Sequence, residues 1–323
     1  MLFRSNDTAT TEIYTRKDTL SLHDAFRPRA RASLASPRGR AAPGSAVHPA
    51  RLRESLAAAQ EIASYLNRAG AEAVHDEIHS EDFRKQVQEG EFDLLLAVGG
   101  DGTVLRAGHL CAPYGLPILG INLGHFGFLA EAQPDEWPEV LDRVLRGDYW
   151  LEARMMLSVE HWRESALLGE WEVLNECVIG RGKYARPVRL KTELDGFHLT
   201  TYVADGLICA TPTGSTAYAL AVGGPILPPE LSNFLLLPVA PHLSVDRAIV
   251  LSEGTEVKVT VYTDHEATLS ADGQAPAEMA DGDHTLVCAG KHRALFARTR
   301  ERDYFYRNLT SRMDTNPSAD YRP

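Results

Sequence analysis

"DLLLAVGGDGTVLRAGH", residues 93–109, decides how this chain is read. Its run Leu94–Val98 is apolar without alternation, so it reads as a strand buried on both faces, the pattern of a parallel sheet. Gly99, Gly100 and Gly102 follow at the strand's carboxyl end, where they let the chain turn sharply and let backbone N–H groups approach phosphate oxygens. Residues 103–111 suit a helix whose positive end points at the same spot. Asp101 is the odd member of this cradle, because a carboxylate repels phosphate. It makes sense if it takes a proton from an attacking hydroxyl or binds Mg²⁺. A tight turn with Asp as a polar cap is the structural alternative, and a short Gly/Asp string alone does not choose between them.

Working outward, "LPILGINLG" (116–124) reads as a second buried strand and "DEWPEVLDRVLRGDY" (135–149) as an amphipathic helix. Upstream, Leu52, Leu56, Ala59, Ala63 and Leu66 recur at three- and four-residue steps, giving a helix over 51–69 that stops at Gly70. Strand, helix, strand in this order implies an open α/β sheet. From about residue 150 the segments become short and β-rich, and Asp195-Gly196 between alternating stretches signals a hairpin. The expected architecture is an N-terminal α/β domain with an open, mostly parallel sheet, followed by a mostly antiparallel β domain. Its expected bounds are 49–134 for the α/β domain and 135–289 for the β-rich domain. Residues 290–313 ("…RALFARTRERDYFYRNLTSRM") give a strand and a helix that return to the first domain, and 314–323 form a loose tail.

A chain of 323 residues can bury a large core and has room for two domains. Its formal charge of -11 argues against a nucleic-acid partner held by general electrostatics, and its apolar runs fall far short of the roughly 20 residues of a membrane span. Cys111, Cys177, Cys209 and Cys288 have no metal-ligand spacing, which suits a reducing, cytoplasmic compartment. Residues 1 to 48 stand apart. The first 25 resemble translated adapter sequence, and "FRPRARASLASPRGRAAPGSA" (26–46) is rich in Arg, Ala, Ser and Pro and free of acids. A transit peptide is disfavoured by Asp7, Glu12, Asp18 and Asp24. The expectation is a non-native extension without ordered structure.

The second telling string is "DGLICATPTGSTAYALAVGGPI", residues 205–226. A strand over 206–210 empties into a turn where Thr211, Thr213, Ser215, Thr216 and Tyr218 put five hydroxyls close together. Such a loop suits ribose, phosphate or an amide edge, although a Ser/Thr-rich surface loop has the same composition. The apolar flanks argue that this one is held against the core.

The chain resembles the NAD kinase family over about residues 50–310. The motifs that carry the resemblance are Gly99-Gly100-Asp101-Gly102-Thr103, "NLGHFGFLAE" (122–131), Asn175-Glu176, Asp205-Gly206 with "TPTGSTAY", "GGPI" (223–226), "PHLSVDR" (241–247) and Asp272-Gly273-Gln274. The glycine-acid loop alone is shared with diacylglycerol-type lipid kinases and phosphofructokinases; the second string is what narrows the match. The resemblance implies transfer of the γ-phosphoryl of ATP (inorganic polyphosphate in some members) to the 2′-hydroxyl of NAD's adenosine ribose. It further implies a divalent metal, Mg²⁺, travelling with ATP without assigned protein ligands, and a homodimer or homotetramer. On this basis Asp101 is the proton acceptor, Gly102 contacts ligand through its backbone, and Arg106 offsets phosphate charge. Asn175 and Glu176 bind ribose and adenine with Arg186 nearby, and Asp205 accepts hydrogen bonds from the dinucleotide. Thr213, Thr216, Ala217, Tyr218, Ala219, Leu220 and Ala221 wall the pocket, and Gln274 completes it. A lipid kinase and a non-catalytic dinucleotide sensor are the competing readings. One departure stands out: family members begin with a buried strand just before the helix at 51–69, whereas "GSAVHPA" (44–50) is too short and poor in β-branched residues. The first strand is therefore expected to be missing.

Overall fold

The computed structural model describes residues 31–36, 49–123, 127–242, 246–307 and 309. Its first half alternates strand and helix: β1 (Arg31–Ser36), α1 (Pro49–Arg68), β2 (Glu72–Glu77), α2 (Glu81–Gln88), β3 (Leu94–Val98), α3 (Asp101–Cys111) and β4 (Ile118–Ile121), with α4 (Trp137–Leu145) after it. The strands run parallel in the order β2-β1-β3-β4. Every residue of β3 is buried, and its side chains alternate between two helical layers. Leu94, Leu96 and Val98 pack with Ala59, Ile62 and Leu66 of α1 and with Trp137, Val140 and Leu141 of α4. Leu95 and Ala97 pack on the opposite side with Phe83 and Val87 of α2 and Val104, Ala107 and Leu110 of α3. Helices on both faces explain why the sequence of β3 shows no alternation.

Residues 31–36 overturn one expectation. The first strand is present: β1 lies between β2 and β3, paired in parallel to both, inside the segment taken as an unordered extension. Its sequence, RASLAS, has neither β-branched residues nor a clear period. What places it is the pairing itself, because a strand inserted between two neighbours satisfies its backbone groups on both edges, and such context overrides weak propensity. Residues 1–30, 37–48 and the tail 314–323 lie outside the described residues.

The second half is β-rich. β5 (Trp150–Arg163), β6 (Ala166–Val173), β8 (Val188–Leu194), β9 (Phe197–Ala204), β13 (Val257–Tyr262) and β16 (His284–Arg298) pair antiparallel and extend the parallel sheet, joined where Phe296 of β16 meets Ile118 of β4. β16 is continuous across residues 289–290, the expected domain boundary, with a bulge between Ala289 and Arg293. A second, six-stranded antiparallel sheet holds β12 (Ile249–Ser252), β11 (Asn233–Val239), β10 (Gly206–Ala210), β7 (Glu176–Arg181), β14 (Ala267–Ala271) and β15 (Ala277–Met279), in that order. The core between the sheets includes Leu157, Leu190, Tyr202, Val259, Ile179, Leu207 and Phe234. Asp195 and Gly196 both take positive φ, 50° and 80°, in the β8–β9 hairpin, as a two-residue primed turn requires.

Candidate active site

The glycine turn follows directly from β3. Gly99 N–H bonds Ile121 of β4 at 2.9 Å, Gly100 caps α3 in extended conformation, and Asp101 is the first helical residue. The Asp101 carboxylate does not point away from the protein. Its Oδ2 accepts the Phe128 N–H at 2.9 Å and its Oδ1 the Leu129 N–H at 3.2 Å. This grip depends on Gly127, where any Cβ would overlap the carboxylate itself. Gly102 and Arg106 are exposed on α3, and Arg106 makes no ion pair among the described residues. A free cation one turn beyond the acid can still meet an anionic ligand.

Asn175 precedes β7, Glu176 opens it, and both are held by a residue that the sequence reading quoted within a motif but gave no role. Asp272, in the β14–β15 turn at φ 46°, has a fully buried side chain. Its Oδ1 accepts the N–H groups of Asn175 (2.8 Å) and Glu176 (2.9 Å), and its Oδ2 accepts Leu174 N–H at 2.7 Å. His109 Nε2, on α3, lies 2.6 Å from the same Oδ2. Glu176 is buried, and its Oε2 has no hydrogen-bond partner. Burial, reinforced by the Asp272 charge and partly offset by the Tyr218 N–H, pushes its carboxyl up to about 8. At neutral pH this acid is largely protonated.

The hydroxyl-rich loop forms a 3-10 turn at Gly214–Thr216 and a short helix α5 at Tyr218–Ala221. Most of its hydroxyls serve the loop itself. Thr211 Oγ1 donates to the Leu174 carbonyl, Ser215 Oγ to Pro212 (2.6 Å), and Thr216 Oγ1 to Thr213 (3.0 Å). Ser215 Oγ also accepts Leu227 N–H at 2.9 Å. Short hydroxyl side chains close such local rings readily, which is why they are frequent in tight turns. Thr213 is turned inward, taking a long hydrogen bond of 3.4 Å from Arg154, and Ala219 is packed in the core with Ile208 and Leu235. Thr216, Ala217, Leu220 and Ala221 are at least partly open, and Tyr218 is 42% exposed. The loop is stapled to the Asn175 segment: Thr211 N–H bonds the Asn175 carbonyl at 2.9 Å, and a Cβ on Gly214 would overlap the Asn175 backbone.

The remaining candidates sit farther apart. Asp205 is half-buried and pairs with Arg181 at 3.2 Å. Gln274 is exposed in the Asp272 turn and, with His109, Trp171, Glu172, Lys291 and His292, lines a cavity of about 540 Å³. Arg186 is exposed in the β7–β8 loop without an ion pair among the described residues, and the structure does not bring it to the Asn175 segment through any hydrogen bond. His242 is exposed and anchored by its N–H to Val203. Parts of "NLGHFGFLAE" and "PHLSVDR", residues 124–126 and 243–245, lie outside the described residues.

A buried charged cluster supports the loop that grips Asp101. Arg298 Nη1 donates to the Leu129 carbonyl and to Glu131, each at 3.2 Å, and its Nε to Glu152 at 2.9 Å. Glu131 also accepts the N–H groups of Thr299 and Arg300. Burial would raise the Glu152 pKa, but Arg154 and Arg298 outweigh it and hold that carboxyl at about 2. Opposite charges at Glu152 and Arg154, two apart and so on one face of β5, directly before the apolar run Met155–Leu157, were the available signal.

Comparisons with known proteins point to one family. The family model described as the ATP-NAD kinase N-terminal domain matches residues 46–149, and that of the ATP-NAD kinase C-terminal domain matches residues 174–299. An NAD kinase of Chloroflexus aggregans is 40% identical over 235 residues, spanning 72% of this chain and 85% of its own. One from Moorella thermoacetica is 41% identical over 238 residues, 71% of this chain and 76% of its own. Among solved structures, yeast NADH kinase complexed with NADH superposes with a TM-score of 0.75 at 22% identity, covering 92% of this chain and 90% of that one. An NAD kinase from Archaeoglobus fulgidus in complex with ATP gives 0.68 at 26% identity, covering 88% and 98%.

Proposed function

The chain belongs to the ATP-NAD kinase family, and from that premise we propose that Asp101 is the general base of its reaction. The protein is an ATP-dependent NAD kinase: it moves the γ-phosphoryl of ATP to the 2′-hydroxyl of NAD's adenosine ribose, giving NADP. In the proposed step the 2′-hydroxyl proton passes to an Asp101 oxygen as the 2′-oxygen bonds the γ-phosphorus. The bond from that phosphorus to the β,γ-bridging oxygen breaks, and ADP leaves. A ribose alcohol is a weak nucleophile, and a positioned base is worth about 10²–10⁴ in rate. The N-terminal turn of α3, open at Gly100 and Gly102, offers the positive end of its dipole to the phosphates, with Gly102 admitting close approach and Arg106 adding charge.

The observation that carries this reading is the carboxylate held by two backbone N–H groups at the mouth of the glycine turn, on the helix whose His109 reaches the segment Asn175–Glu176 through Asp272. Asn175, Glu176, Asp205 and Gln274 supply polar groups for the dinucleotide, and Thr216–Ala221 with the Tyr218 ring forms its wall. Thr213 and Ala219 shape that wall from behind, and Arg186 meets the ligand's outer edge.

Members of the family use a divalent metal with ATP. Among the described residues no cluster of three or more His, Cys, Asp or Glu side chains could enclose an ion. A divalent ion such as Mg²⁺ would enter on the phosphate oxygens of ATP, keeping several of its waters. When bound, the ion neutralises charge on the transferring phosphates. We further place the enzyme in the cytoplasm as a homodimer or homotetramer. The four free thiols support the first, and the exposed Phe197 and Leu199 on β9, at the end of the long sheet, support the second. The test of the base is Asp101→Asn: NADP formation from ATP, Mg²⁺ and NAD should fall by at least about 10²-fold, and unchanged turnover would remove Asp101 from the role.

A further inference from the structure

Among the described residues, the hydrogen-bonded joint between α3 and the six-stranded sheet is one side-chain pair. Among the described residues, His109 alone of the α3 side chains hydrogen-bonds that sheet, through Asp272. Asp272 is acceptor-only as a carboxylate, so the His109 ring nitrogen facing it donates. The Asp272 side chain is 0% exposed and takes this N–H together with those of Leu174, Asn175 and Glu176. One buried carboxylate thus fastens two things: the backbone that presents Asn175 and Glu176, and the helix that begins with Asp101. The packing beside the joint is close, since a Cβ on Gly108 would come within 2.9 Å of Leu174 Cδ2.

We propose that His109 is a positioning residue for phosphoryl transfer: its bond to Asp272 sets where α3 carries Asp101 relative to the nucleotide-binding segment. The proposal rests on Asp101 being the base. His109 lies eight residues after Asp101, about 12 Å along a helix at roughly 1.5 Å per residue, and a helix of that length moves as a rigid lever. A base displaced by about 1 Å can lose about 10²-fold in rate while still able to accept a proton. Asp272 keeps its three backbone donors when His109 is lost, so the Asn175–Glu176 segment retains its shape. His109 therefore acts on turnover rather than on dinucleotide affinity.

The test is steady-state kinetics of His109→Leu and His109→Gln beside wild type and Asp101→Asn. Leucine fills the site without a donor, whereas glutamine carries an N–H₂ close to where the ring Nε2 stood. The expected result is a kcat about 10- to 100-fold lower in H109L, a KM for NAD within about threefold of wild type, and recovery of most of the kcat in H109Q. If H109L does not fold, His109→Asn takes its place, since asparagine is too short to reach Asp272 and should lose kcat likewise. The proposal is overturned if H109L turns over at the wild-type rate. It is also overturned if KM rises as much as kcat falls, or if H109Q does no better than the donorless variant. Asp101→Asn separates the two readings: full activity there removes the base itself, whatever the His109 variants do.

Discussion

Gly127→Ala displaces the proposed base without changing its chemistry. The added Cβ would overlap the Asp101 carboxylate, and ordinary contact requires more than 3.0 Å, so the carboxylate or the loop must shift by about 1 Å or more. That shift breaks the hydrogen bonds from Phe128 N–H (2.9 Å) and Leu129 N–H (3.2 Å). Hydrogen bonds to a charged group are worth about 1.5–3 kcal/mol each, but Asp101 is only partly buried and water recovers much of this, so the net cost should be about 1–3 kcal/mol. A 1 Å misplacement of a catalytic group costs about 10² in kcat. The assay couples NADP formation to an NADP-specific dehydrogenase and runs beside urea unfolding of the same variant. A kcat within twofold of wild type, with unchanged stability, would refute the claim that these amides aim Asp101.

Other consequences can be checked separately. Glu176 is raised in the folded state from its ordinary 4.5 to about 8, so the folded protein holds a proton that the unfolded chain has released. The contribution of Glu176 to stability should therefore fall as pH rises from about 4.5 to about 8, and Glu176→Gln, which stays neutral, should be more stable relative to wild type at pH 8.5 than at pH 5 by urea unfolding; an equal difference at both would contradict it. Leu34→Pro should lower the melting temperature by several degrees, because β1 is paired on both edges and proline removes a ladder donor there. An unchanged melting temperature would mean that β1 adds nothing to the sheet.

The sequence made legible what rests on local pattern. The apolar run of β3, the glycine turn and the Asp195-Gly196 hairpin each follow from a few adjacent residues. β1 was missed because Ala and Ser carry little strand signal, and only its two neighbours place it. The hydroxyls of 211–216 were visible, but their inward bonding was not, since the same side chains can face a ligand or their own backbone. His109 and Asp272 lie 163 positions apart, and no periodicity connects them. Glu131, quoted only as the end of a motif, and Arg298 were given no role likewise, being buried charges that make sense only once paired.

The central claim is that Asp101 removes the ribose proton, and the most direct measurement pairs single-turnover NADP formation with calorimetric NAD binding in Asp101→Asn. The account predicts NAD affinity within a few-fold of wild type and a transfer rate lower by about 10² or more. Transfer at the wild-type rate would contradict it, as would a loss of rate accounted for entirely by lost NAD binding.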